Sequence, residues 1–218
     1  CLVRGLGDVY KRQSKYWLSL NGDWKFNWAP DPDSRPKDFY QTTFDVSGWD
    51  NIPVPSSWNI YGIQKDGSLK YGVPIYVNQP VIFMHKVKVD DWRGGVMRIA
   101  SKLDDLQAPE LIGSFRRNFE IPQDWDGREV FISFDGVDSF FYLWINGQYV
   151  GFSKNSRNTA NFNITPYLRK GTNVVAAEVY RSSDGSFLEA QDMFRLPGIF
   201  RTVALYSVSY THLRAHET

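Results

Sequence analysis

The chain has 218 residues, with 25 Lys and Arg against 24 Asp and Glu and a formal net charge of +1. That balance leaves no bulk electrostatic case for nucleic acid or an anionic membrane as partner, and no apolar run approaches the roughly 20 residues that span a bilayer. The single cysteine, Cys1, excludes a disulfide within the chain and a cysteine-ligated metal.

Taken in chain order, the ends come first. "GDVYKRQ" (7–13) back-translates, with one choice of synonymous codons, to a transposon-type sequencing adapter. "VSYTHLRAHET" (208–218) gives the same adapter on the other strand. Segments 1–13 and 208–218 are therefore expected to carry no information about the fold, and 14–207 is read as one domain. From Ile52 to Arg98 the chain is rich in Pro, Gly and aromatic residues. It reads as long ordered loops with a few short strands, and loops of that length in a compact domain are usually functional.

"SFRRNFEIP" alternates Phe115, Arg117, Phe119 and Ile121, as a strand does. "EVFISFDGV" puts Val130, Ile132 and Phe134 on one face. In "FFYLWINGQYVGFS" two apolar runs flank Asn146-Gly147, a dipeptide that suits the positive φ angles of a type I′ turn. Phe140, Tyr142 and Trp144 share one face of that hairpin, and Phe141, Leu143 and Ile145 the other. Both faces are bulky, which predicts a central strand covered on both sides. "TPYLRKG" is at most one or two helical turns. "NVVAAEVYR" and "RTVALYS" are further short strands. Many short strands between turn-rich segments predict an all-β sandwich. The eight Trp and 12 Tyr suit either a β-rich core or stacking on sugar rings.

Metal and nucleophile chemistry find little support. With the tail set aside, His85 is the only histidine. It has no partner at ligand spacing, so zinc, Ser-His and Cys-His arrangements are not supported. The glycines of "DGSLKYG" lack the spacing of a phosphate cradle. Carboxylates remain, in "SSDGSFLEAQDMFRLPGIFR" (182–201), where Asp184, Glu189 and Asp192 lie near Arg195 and Arg201. A glycosidase needs two carboxylates about 5–9.5 Å apart, one of them a general acid of raised pKa. Adjacent arginines move a carboxylate the other way. The expected use of Glu189, Asp192, Arg195 and Arg201 is a structural ion-pair network, with no catalytic residue in this chain.

These residues also carry a resemblance. "LNGDWKFNW" (20–28), "IPVPSSWNIYG" (52–62), "PIYVNQ" (74–79), "FDGVDSFFYLWINGQYVGFSKNSR" (134–157) and "SDGSFLEAQDMFRLPGIFRTV" (183–203) follow one another as in the amino-terminal sugar-binding domain of bacterial β-galactosidases, which are family two glycoside hydrolases. The run "DGSFLEAQDMFRLPGIFR" is the specific one, because β-glucuronidases and β-mannosidases share pieces like the others. The resemblance implies a jelly-roll β-sandwich of the galactose-binding type with long ordered loops. Immunoglobulin-like domains and a barrel would follow it in the complete enzyme. The barrel carries both catalytic glutamates, and the enzyme hydrolyses terminal β-D-galactosides with retention. Two loops of the amino-terminal domain reach the barrel's site. An Asn in "Y-x-N" matches Asn78, and an Asp in "S-D-G-S" matches Asp184. Both contact galactose hydroxyls in the family, and the Asp helps to hold sodium. Sodium and magnesium are implied for the complete enzyme, itself a homo-oligomer, and no cofactor for this piece.

Two features depart from the pattern: Gln79-Pro80 after Asn78, and "IASKLDDLQAPELI" (99–112), which matches no family stretch. The plain alternatives are a loop-capping role for Asn78 and a turn-forming role for Asp184 before Gly185. At the level of the whole chain they are a free-standing carbohydrate-binding module or lectin, a sandwich with no sugar contact of its own, and the same domain of a β-glucuronidase or β-mannosidase.

Overall fold

The structure, a computed structural model, describes residues 13–77, 111–187, 189 and 193–209. Its strands are β1 (Trp17–Ser19), β2 (Gly22–Ala29), β3 (Asp50–Val54), β4 (Ile75–Val77), β5 (Ile112–Glu120), β6 (Glu129–Phe134), β7 (Phe140–Ile145), β8 (Gln148–Ser153), β9 (Ala160–Asn163), β10 (Thr172–Tyr180), β11 (Met193–Arg195) and β12 (Val203–Val208). Among the described residues the one α-helix, α1 (Trp58–Tyr61), is a single turn, and three short 3₁₀ turns cover Gln123–Trp125, Thr165–Tyr167 and Asp184–Phe187.

Two antiparallel sheets face each other, as the alternation predicts. One has four strands in the order β1-β12-β6-β9, and the other six in the order β3-β2-β5-β10-β7-β8. Between them lies the core. Trp24, Phe26, Phe115, Phe141, Leu143, Ile145, Val175 and Val179 from the larger sheet meet Val130, Ile132, Phe134, Val203 and Leu205 from the smaller. Buried apolar surface contributes about 25 cal/mol per Å², so this interleaved aromatic layer is the main source of stability. The hairpin of β7 and β8 turns at Asn146 and Gly147 with φ of 52° and 84°, the pair of positive angles that the dipeptide predicts.

β7 lies second from the edge rather than at the centre of its sheet. Its outer face is covered in part, by the segment between β2 and β3. Tyr40 stacks on Trp144 at 5.1 Å, and Phe39 meets the same ring edge-on at 5.8 Å. Arg116 fixes that segment. Its guanidinium donates to the carbonyls of Phe39, Thr42 and Phe44 at 3.1, 3.0 and 2.9 Å. Arg117, on the face of Phe115 and Phe119, instead donates to the carbonyls of Leu20 and Asn21.

Of the long region from Ile52 to Arg98, residues 52–77 are described. They hold the end of β3, then α1 and β4, joined by loops. Leu111 and Ile112, which close the unmatched stretch 99–112, are buried, and Ile112 starts β5; residues 99–110 lie outside the described residues. The ladder of β12 on β6 ends with Val208 opposite Glu129, one residue past 207. Segments 1–12 and 210–218 lie outside the described residues.

Gly198 shows how tightly the loops close over one end of the sandwich. It has φ +138°, and a Cβ there would lie 2.6 Å from the Ser56 carbonyl oxygen and 3.2 Å from Ser57 Cα. Backbone on the far side cannot yield as a side chain would. Gly198→Ala is expected to cost about 2 kcal/mol or more and to lower Tm by about 4–8 °C. Thermal unfolding checks this. An unchanged Tm would show that the two loops separate freely.

Candidate functional site

Four connections converge at that end. They join β6 to β7, β8 to β9, β10 to β11 and β11 to β12. Asp138 and Gly198 exchange main-chain hydrogen bonds, each N–H to the other's carbonyl at 3.0 Å. Ser139 N–H donates to the Tyr180 carbonyl at 3.1 Å. The start of α1 is tied in as well, with Ser56 N–H to the Ile199 carbonyl and Trp58 N–H to the Pro197 carbonyl.

After β10 the chain makes the 3₁₀ turn Asp184–Phe187. Ser186 N–H donates to the Ser183 carbonyl at 3.0 Å, and Glu189 N–H to the Gly185 carbonyl at 3.2 Å. Glu189 then reaches across to the β8–β9 connection. Its carboxylate accepts from the Ser156 N–H at 3.1 Å and the Ser156 hydroxyl at 2.5 Å. Arg195 donates to the Glu189 main-chain carbonyl. Arg201 donates to the Arg157 carbonyl at 2.9 Å, and its guanidinium lies over the Phe200 ring at 5.1 Å, with that of Arg157 at 5.4 Å from the same ring.

Glu189, Arg195 and Arg201, expected with Asp192 to form an ion-pair network, are held instead in a knot of hydrogen bonds to Ser156 and to main-chain carbonyls. The central carboxylate of this region is one that sequence reasoning missed. Asp138 is 2% exposed, and its Oδ2 lies 3.5 Å from Arg157 Nη2. Burial pushes its pKa up from 3.8 to about 6, against the pull of Arg157 and Arg195, with Glu189 adding to the rise. Burial also lowers the Arg195 pKa, which Asp138 and Glu189 partly offset. Asp138 Oδ1 and Arg195 Nη1 are buried without a hydrogen-bond partner among the described residues. A carboxylate after Gly136 in "FDGVDS" looks like an ordinary turn residue, and nothing local marks it as buried.

Asp184 sits at the first position of its turn, and its backbone alone is described. Asn78, His85 and Asp192 lie outside the described residues. The backbone still relates the two expected loops. β4 pairs antiparallel with β11, with Val77 opposite Met193 and Ile75 opposite Arg195. The residue before Asn78 thus lies against the far end of the same connection that opens with the Asp184 turn. Among the described residues no group of three or more His, Cys, Asp or Glu converges as a metal site would.

Residues 17–209 match the family model described as glycosyl hydrolases family 2, sugar binding domain. The chain belongs to that family. Within it, the chain is 39% identical over 206 residues to a β-galactosidase of Priestia megaterium, covering 93% of this chain and 18% of that protein. It is 37% identical to the β-galactosidase large subunit of Lactobacillus helveticus, covering 93% of this chain and 31% of that subunit. The chain thus spans between about a fifth and a third of the length of these relatives. Among solved structures, a calcium-binding mutant of Bacteroides uniformis β-glucuronidase 2 superposes with a TM-score of 0.60 at 21% identity, covering 88% of this chain and 18% of that one. At that identity the likeness shows the shared fold.

In this family member the buried Asp138 should make stability depend on pH. Its pKa is raised above the ordinary 3.8, so the folded state holds the proton to higher pH than the unfolded state does. Stability from this group is complete below about 4, falls as the pH rises toward about 6, and is level above that. The interval corresponds to about 3 kcal/mol. Asp138→Asn removes the titration, so the stability of the natural chain relative to the variant should fall between pH 4 and 6.5. Melting curves of both proteins across that range check this. A relative gain with rising pH would mean that Arg157 and Arg195 outweigh burial.

Proposed function

We propose that this chain is the amino-terminal, non-catalytic part of a β-galactosidase that hydrolyses terminal β-D-galactosides with retention. The observation that carries the reading is identity of 37–39% to β-galactosidases over 93% of the chain. The β-glucuronidase structures, at 21–22% identity, support a common fold alone. Partners in the complete enzyme would be its own immunoglobulin-like and barrel domains and further copies of itself.

In this reading Asp184 and Asn78 present polar groups to the galactose hydroxyls. An ionised Asp accepts hydrogen bonds from hydroxyls, and an Asn both donates and accepts. The knot supports the division of labour. Glu189 is occupied by Ser156 and Asp138 is buried beside Arg157, so neither is free to act as an acid or nucleophile on a sugar. The catalytic pair is assigned to the barrel. Sodium belongs to the same proposal: Asp184 would supply one hard oxygen donor, and the remaining oxygens would come from elsewhere in the complete enzyme.

Asp184→Asn in the complete enzyme keeps the size of the side chain, removes its charge and turns one acceptor into a donor. A hydrogen bond to a charged group is worth about 1.5–3 kcal/mol, so kcat/KM on an aryl β-galactoside should fall about 10- to 100-fold, with melting unchanged. The isolated chain should show no turnover. Activity that follows the purified chain and disappears with Asp184→Ala would return catalysis to this domain.

A further inference from the structure

Ser186 is used twice by the Asp184 turn. Its N–H donates to the Ser183 carbonyl at 3.0 Å, and its hydroxyl accepts from the Ser183 N–H at 3.0 Å. The two bonds bracket Asp184 and Gly185 from opposite sides, so the carboxylate-bearing residue has little backbone freedom. The same hydroxyl meets the Ser139 hydroxyl at 3.0 Å. Ser139 and Ser186 are 1% and 7% exposed, so solvent does not compete for this contact. Ser139 follows Asp138 in the β6–β7 connection and is itself pinned by its N–H on the Tyr180 carbonyl. Gly185 closes the third side: a Cβ there would lie 3.3 Å from the Lys154 carbonyl oxygen.

We propose that Ser186, with Ser139 behind it, is a positioning residue that sets where the Asp184 carboxylate stands relative to the sugar. This rests on the reading of Asp184 as a sugar contact. The hydroxyl is suited to the task because it accepts from one neighbour while it donates to or accepts from another. Alanine at 186 removes the acceptor of the part-buried Ser183 N–H, leaves the buried Ser139 hydroxyl without this partner and lets the turn relax. Small displacements of a positioned group are expensive in rate.

The test is a double-mutant cycle in the complete enzyme: the natural protein, Ser186→Ala, Asp184→Asn and the double variant, with kcat, KM and Tm measured on an aryl β-galactoside. Ser186→Ala should lower kcat/KM by about tenfold. In the Asp184→Asn background the same change should cost less than about twofold, because the charged contact to be placed is gone. A merely structural serine would lower Tm and reduce activity equally in both backgrounds, and that result overturns the proposal, as does full activity of Ser186→Ala. If Asp184→Asn itself is silent, the reading of Asp184 falls, and the positioning role with it. If Asp184→Asn is damaging and Ser186→Ala is not, only the positioning role falls. Should Ser186→Ala fail to fold, Ser139→Ala decides by the same cycle, since it leaves the bond from Ser183 to Ser186 in place.

Discussion

Asp138 and Gly198 hold each other by two main-chain hydrogen bonds across the end of the sandwich, and the candidate site takes its geometry from that bridge. Asp138 continues into Ser139, whose hydroxyl reaches the Asp184 turn. Gly198 sits close to Ser56 and Ser57, and main-chain hydrogen bonds tie the loop after β11 to the start of α1. The two sheets supply the free energy of folding, but sheets alone would leave these loops independent. The bridge converts core stability into loop position, which is what a domain must do if it is to present a side chain to a site built elsewhere.

The electrostatics of the same region separate support from recognition. A carboxylate buried beside a guanidinium is costly to leave alone and costly to break. Asp138 bears that cost, and its pKa rises despite Arg157 and Arg195. Glu189 faces a serine hydroxyl and a backbone N–H instead. Asp184, the proposed ligand contact, lies on the turn that Glu189 and Ser139 support.

What could be read in the sequence was what is local. Asn146-Gly147 gives its turn because two adjacent residues suffice to set it, and β5, β6, β7, β10 and β12 follow from short-range alternation. Glu189, Arg195 and Arg201 suggested ion pairs because oppositely charged residues lie close along the chain, but their bonds run to Ser156 and to main-chain carbonyls that spacing does not reveal. Asp138 suggested none, since its burial depends on loops that return more than 50 residues later. Ser139 and Ser186 meet across 47 residues, and a serine carries no sign of its partner. The arginine pair divides between the two faces of β5. Alternation drew attention to Arg117 beside Phe115, whereas Arg116, on the opposite face, is the more buried and fastens the β2–β3 segment through three carbonyls. That segment has no periodicity, so the bulky outer face of β7 foretold a cover without showing which segment supplies it.

The relatives differ in what they share with this chain. A β-glucuronidase domain keeps the fold at 21% identity, while β-galactosidases keep nearly twice that identity over the same length. A sandwich core tolerates many apolar replacements provided volume and alternation are kept, so the fold by itself says little about which sugar is bound. The bracketed turn after β10 is less permissive. Its position depends on particular hydroxyls, on a glycine facing a carbonyl and on a glutamate matched to Ser156. Each of these is a specific atom at a specific distance. If Asp184 meets the sugar as proposed, discrimination depends on how these atoms place the turn between β10 and β11, while the larger aromatic core beneath it supplies most of the stability.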